Sequence, residues 1–154
     1  MSRAEKAKEL FESGYACSQA VALAFQDLTS ISYDDLSKLT LPLGGGLGRL
    51  RLTCGAVSGM AVIAGAILAK SENISENKLT TYEITRELVE NFKQQHKTII
   101  CEELLSNPGQ LVEIGGKPDE RTKEYYEKRP CSLLVYNAAK ILEDYLIDKN
   151  IIKR

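Results

Sequence analysis

Closely spaced cysteine pairs are missing from this sequence. Its four cysteines fall at positions 17, 54, 101 and 131, a spacing that excludes a thioredoxin-type CxxC motif and a zinc knuckle. CxxCH is also absent, so covalent c-type haem is not expected. The glycine-rich segment GGGLGRLRLTCG has no Lys-Ser/Thr ending, and neither Gly44 nor Gly46 opens a full GxGxxG after a strand. Both common nucleotide-phosphate loops are thereby removed. The longest apolar run, Cys54 to Ala69, has 16 residues, short of the roughly 20 that cross a bilayer. Charge of one sign is lacking too: 20 basic and 21 acidic residues leave a net charge of −1, with no basic stripe for nucleic acid and no acidic tail for a basic partner. The opening MSRAEKAKEL is charged and helical, unlike a signal peptide, so the expected compartment is the cytoplasm. Structural disulfides are not expected there. No internal repeat is present, and no alternating stretch is long enough for a convincing strand, although QLVEI (110–114) could extend locally.

What is present reads as one all-α domain, residues 1–154. The composition is 44% apolar and 27% charged, and a chain of this length buries roughly two-thirds of its unfolded surface. Ser2 and Glu5 form a capping box for a first helix whose inner face is Ala4, Ala7, Leu10 and Phe11, stopped at Gly14. A second helix starts near Cys17 or Ser18 and turns Ala20, Val21, Ala24, Phe25 and Leu28 inward. The Ser32–Asp35 spacing opens a short third helix. LPLGGGLG then breaks regular structure. Thr53 is the expected N-cap of the Gly/Ala-rich helix that follows, which is apolar on nearly every side and so belongs at the centre of a compact bundle of about five main helices plus short ones. Its glycines at 55, 59 and 65 each cost roughly 1 kcal/mol against alanine, which implies close approach of another backbone or a ligand. A long amphipathic helix is expected from Ser75 to Thr98, with Leu79, Tyr82, Leu88, Val89 and Phe92 on one face. Thr98 caps a short helix IICEELL that ends at Asn107-Pro108-Gly109, and 107–121 is a loop. After a short turn near Tyr125, Pro130 opens a last helix with Leu133, Leu134, Tyr136, Ala138, Ile141, Tyr145 and Leu146 on its buried side.

On this reading all four cysteines sit at helix starts, where unpaired N–H groups and the positive end of the dipole favour thiolate. Arg49 and Arg51 add positive potential near Cys54, and Lys128 and Arg129 near Cys131. A single free cysteine is commonly just a small core residue; four at helix starts point to a joint role. The glycine loop has a structural reading, a tight turn that lets backbone pass close to a neighbour, and a functional one, N–H groups aimed at sulfur or a bound anion. His96, the only histidine, continues the Val89–Phe92 face and reads first as a boundary residue, with a role as extra ligand or proton carrier as the minor alternative. The carboxylates, Glu102 and Glu103 included, look like solvated faces.

These segments resemble the C-GCAxxG-C-C family of putative redox-active proteins. GYACSQAV is similar to the first-cysteine segment. GGGLGRLRLTCGAVSG is similar to the signature loop, with Cys54, Gly55, Ala56 and Gly59 at the motif positions. CEELL holds the third cysteine and RPCSLLVYNAAKILEDYL the fourth. The resemblance covers nearly the whole chain and implies a redox protein that holds an iron–sulfur cluster.

The leading expectation is a small helical redox protein whose Cys17, Cys54, Cys101 and Cys131 converge as thiolate ligands of an iron–sulfur cluster or another thiophilic metal such as zinc or iron, for electron transfer. Gly45, Gly46, Gly55 and Gly59 permit close approach, and Arg51 offsets negative charge. A second reading is metal-free thiol–disulfide chemistry with Cys54 as the attacking thiol. A third is a non-catalytic metal-binding or interaction module serving a transporter or oxidoreductase. Two thiols per chain would also suffice for a site shared in a homodimer.

Overall fold

The structure is a computed structural model that describes residues 1–106 and 111–154. It is all-α. Helix α1 (Arg3–Glu12) begins at the expected capping box: Ser2 Oγ accepts from the Glu5 N–H, and the Ser2 N–H donates to Glu5 Oε2 at 2.9 Å. It buries Ala4, Ala7 and Phe11, and Gly14 turns the chain with φ +115°. Helix α2 (Cys17–Leu23) is short but buried from Ser18 to Leu23. Helix α3 (Tyr33–Thr40) is capped by Ser32, whose Oγ accepts from the Asp35 N–H. A 3-10 turn at Leu41–Leu43 leads into the one-turn helix α4 (Gly44–Leu47), so the glycine segment is not structureless. Gly45 and Gly46 interrupt that turn with φ of 67° and 71°, conformations that favour glycine.

Helix α5 (Gly55–Leu68) packs on α2, α6 (Ile74–His96) and α9 (Cys131–Asp148), while α1 packs on α9 and α2. Two short helices, α7 (Cys101–Leu105) and α8 (Lys123–Lys128), complete the order. Among the described residues no strand forms; Thr53 and Ile100 share an isolated antiparallel bridge. That bridge moves two caps. The Cys54 N–H donates to the Ile99 carbonyl at 2.7 Å, so Thr53 is held in extended pairing and Cys54 takes the N-cap of α5. Ile100 likewise replaces Thr98 as N-cap of α7, with Thr98 Oγ1 accepting from the Ile100 N–H. Residues 111–114 of QLVEI form no strand; Gln110 and the expected Asn107-Pro108-Gly109 stop lie outside the described residues. The turn near Tyr125 is helix α8, and Pro130 stands one place earlier than expected, as the N-cap of α9.

Burial corrects three expected faces. Central helix α5 is not enclosed all round: Ala66 is exposed, and Ala61, Val62 and Gly65 are half-buried. Long α6 starts at Ile74, capped by Asn73, and buries only Leu88 and Phe92 fully. Leu79 and Tyr82 are exposed; Tyr82 faces the small side of α5 at Ala61, Gly65 and Ala69, which has no large side chain to cover it. Leu133 is exposed on the first turn of α9 while its neighbour Leu134 is buried. Among the described residues no helix is long and apolar enough to cross a membrane.

The crossing of α2 over α5 is set by Gly59. A Cβ there would lie 2.6 Å from the Ser18 carbonyl oxygen and 3.3 Å from Val21 Cβ, so only a bare backbone lets the helices approach. Gly65, two turns on, has nothing within 4 Å of a Cβ position. Alanine ordinarily stabilises a helix interior over glycine by about 1 kcal/mol. Gly65→Ala should therefore raise stability by up to that amount, whereas Gly59→Ala should lower it by about 1–2 kcal/mol through overpacking. Urea unfolding of the two variants checks the opposite signs.

Candidate functional site

Each cysteine is delivered by the start of a different helix. Cys17, Cys101 and Cys131 are the first residues of α2, α7 and α9, and Cys54 caps α5. Sequence periodicity is enough to locate these starts, because each helix begins where its apolar pattern begins. The fold then brings the four thiols to the wall of one cavity of about 70 Å³, together with Gly45, Arg51, Gly55, Arg121, Tyr125 and Arg129. All four are free; Cys54 and Cys101 are buried, Cys17 and Cys131 half-buried.

Gathering around a cavity is not convergence on a point. Among the described residues no three Cys, His, Asp or Glu side chains are grouped closely enough to hold a metal ion. The expected convergence of the four cysteines is corrected accordingly: the sulfurs ring a space instead of meeting. The reason is that each rides on a separate helix end, and the helix packing fixes their separation.

The glycines act on the cysteines one by one. A Cβ on Gly55 would stand 2.5 Å from Cys17 Sγ, so Gly55 is what allows the first thiol to lie against the start of α5. A Cβ on Gly46 would stand 2.7 Å from Cys101 Cβ and 2.6 Å from the Leu52 nitrogen. Gly45 lines the cavity, and its backbone favours the Cys17 anion. Gly59, grouped with these on sequence, lies instead at the helix crossing.

At Cys17, Cys54 and Cys131 burial overturns the expected low thiol pKa. Burial pushes the Cys17 thiol up, against backbone hydrogen bonds from Gly45 and Ser18 that favour the anion. It pushes Cys54 well above the usual thiol range despite bonds from the backbone of Ala56 and Val57. Cys131 is pushed up to about 12 by burial and by Cys17, against the pull of Arg129 and Arg121. At these three cysteines desolvation thus outweighs helix ends and arginines.

The cations also differ from expectation. Arg51, buried, points NH1 at Cys101 Sγ at 3.8 Å and donates Nε to the Glu113 carbonyl at 2.9 Å. Arg49 turns away from Cys54 to meet Glu113 and Asp119 at 3.3 and 3.2 Å. Lys128 is spent on an exposed pair with Glu124. Arg121, which sequence reasoning missed, lines the cavity, donates to the Phe11 and Tyr15 carbonyls at 3.0 Å each, and stacks 4.4 Å from the Phe11 ring. Its loop carried no periodic or motif signal that could have found it. His96 does not line the cavity; it hydrogen-bonds to Asn137 and packs on Phe92 with ring centres 4.6 Å apart.

A thiol whose folded pKa is raised binds its proton more tightly in the native state than when unfolded. Its contribution to stability is present below the unfolded value and is lost as pH rises through the folded one. For Cys131 that window runs from 9.0 to about 12. The metal-free protein should lose stability as pH rises across this range, read as a falling urea midpoint, and Cys131→Ala should flatten the fall.

No curated protein and no solved structure shows significant similarity to the chain. A family model does match, over residues 15–145, and its description is putative redox-active protein. That span includes all four cysteines, the glycine loop and the cavity arginines. The chain belongs to the C_GCAxxG_C_C family of putative redox-active proteins.

Proposed function

We propose that Cys17, Cys54, Cys101 and Cys131 are the ligands of an iron–sulfur cluster or similar thiophilic group, and that the protein transfers electrons. The observation that carries this reading is that four cysteines from four helix starts line one cavity. The donor set suits soft metals. Sulfurs ringing a space suit a multi-atom group better than one ion, which requires ligands drawn to a single point. When bound, such a group supplies one-electron transfer.

The rest is done by the chain. The backbone of Gly45, Ala56 and Val57 hydrogen-bonds to ligand sulfur, and such bonds tune a cluster's potential. Arg51, Arg121 and Arg129 offset the negative charge that four thiolates bring into a partly buried space. The raised thiol pKa values support ligand chemistry over thiol–disulfide exchange: a neutral buried Cys54 is a poor attacking nucleophile, whereas metal binding deprotonates a thiol outright.

Protein purified without air, or reconstituted with iron and sulfide, should contain iron in stoichiometric amount and absorb in the visible, and Cys54→Ser should remove both. Metal-free protein with four freely titrating thiols after reconstitution overturns the proposal. If that protein instead loses about 2 Da per bridge on oxidation, through loss of two hydrogens per S–S bond formed, it is a thiol–disulfide protein.

A further inference from the structure

A second cavity, of about 310 Å³, lies against the thiol cavity and shares Ala16, Gly45, Arg51, Arg121, Tyr125 and Arg129 with it. Arg49 and Asp119 complete its charged wall. We propose that this vestibule is a binding site for a small dianionic oxyanion of the phosphate or sulfate type, either free or carried as an ester group.

The argument starts from charge. Four guanidinium groups and one carboxylate line the vestibule. Asp119 is shared between Arg49 at 3.2 Å and Arg129 at 2.5 Å, and Glu113 meets Arg49 from an exposed position. The other two cations meet no carboxylate among the described residues. Arg51 is 5% exposed and is held by the Glu113 carbonyl and the Cys101 thiol. Arg121 is held by the Phe11 and Tyr15 carbonyls and the Tyr126 hydroxyl. Neutral acceptors orient a guanidinium without cancelling its charge, and a buried cation without a counter-charge is costly. The cost is sustained by backbone geometry: Arg49 and Arg51 have φ of 66° and 61°, the left-handed region that non-glycine residues rarely occupy. Flanking Leu47, Leu50 and Leu52 are all exposed while both arginines are buried. The loop is thus shaped to turn its leucines out and its arginines in. Several guanidinium groups lining one space suit an oxyanion, which accepts planar N–H donors in pairs.

The site shares Arg51, Arg121 and Arg129 with the thiol cavity, so it is tested on metal-free protein, in which no thiolate charge competes for them. Titration calorimetry of the full chain at low salt, with inorganic phosphate in one arm and glycerol phosphate in the other, separates a free anion from an ester. One-to-one saturable binding is expected in at least one arm, weakening as NaCl is added. Arg129→Gln should weaken it about tenfold, the scale of one charged hydrogen bond. Asp119→Asn should tighten it several-fold by freeing Arg49 and Arg129, a gain that misfolding cannot imitate. The proposal is overturned by no saturable binding in either arm, or by binding that both variants leave unchanged, as an adventitious ion would give. Iron content is measured on portions of the same samples after reconstitution, so loss of the cluster reading and loss of the anion site register separately.

Discussion

The close approach of α2 to the start of α5 is the constraint on which the rest of the molecule depends. Two missing side chains make it possible. Gly59 admits the Ser18 carbonyl, and one turn earlier Gly55 admits the Cys17 sulfur. With both in place, the first thiol and the thiol at the cap of α5 share a wall, and α9 and α7 close the same space with Cys131 and Cys101. The spacing of Gly55 and Gly59, four residues apart on one helix face, is therefore a packing requirement that also assembles the thiol cavity.

The glycine loop is the second device. Between Gly44 and Leu52 the chain repeatedly enters the left-handed region, at Gly45, Gly46, Leu47, Gly48, Arg49 and Arg51. Four arginine contacts follow from that path: Arg49 to Glu113 and to Asp119, Arg51 to the Glu113 carbonyl, and Arg51 to Cys101. The segment after residue 110 is thereby tied over the loop, with the Gly115 N–H donating to the Arg49 carbonyl at 2.7 Å. A positively charged rim beside buried thiols results. Burial raises the pKa of Cys17, Cys54 and Cys131, while the rim and the helix ends lower the cost of negative charge once a metal displaces the protons. The same surroundings thus disfavour free thiolate and favour metal-bound thiolate, because a cation at bonding distance outweighs desolvation.

Much of this was legible in the sequence, and the failures share a cause. Local signals read correctly: the Ser2–Glu5 box, the Ser32 cap, the stop at Gly14 and the four cysteines at helix starts. Thr53 and Thr98 were misassigned as caps because the Thr53–Ile100 bridge joins residues 47 positions apart. Leu79 and Tyr82 carry a sound helical period but are exposed, Tyr82 over a small-residue face that only the packing of α5 reveals. Arg121 reaches the thiol cavity from a segment with no pattern, through carbonyls more than a hundred residues earlier. Low thiol pKa values were expected from helix ends, a local effect, and were reversed by burial, which is a property of the whole fold.

By itself, the sequence determined the helices, the caps at Ser2 and Ser32 and the placing of a thiol at four helix starts, because these depend on side chains within a turn or two of each other. It also carried the family signature. Only the tertiary structure decided that the thiols surround a cavity instead of meeting at one point, that burial raises the pKa of Cys17, Cys54 and Cys131, and that four arginines line the vestibule beside them. Distances between helix ends and the extent of desolvation arise when helices pack, and no window of the chain contains them.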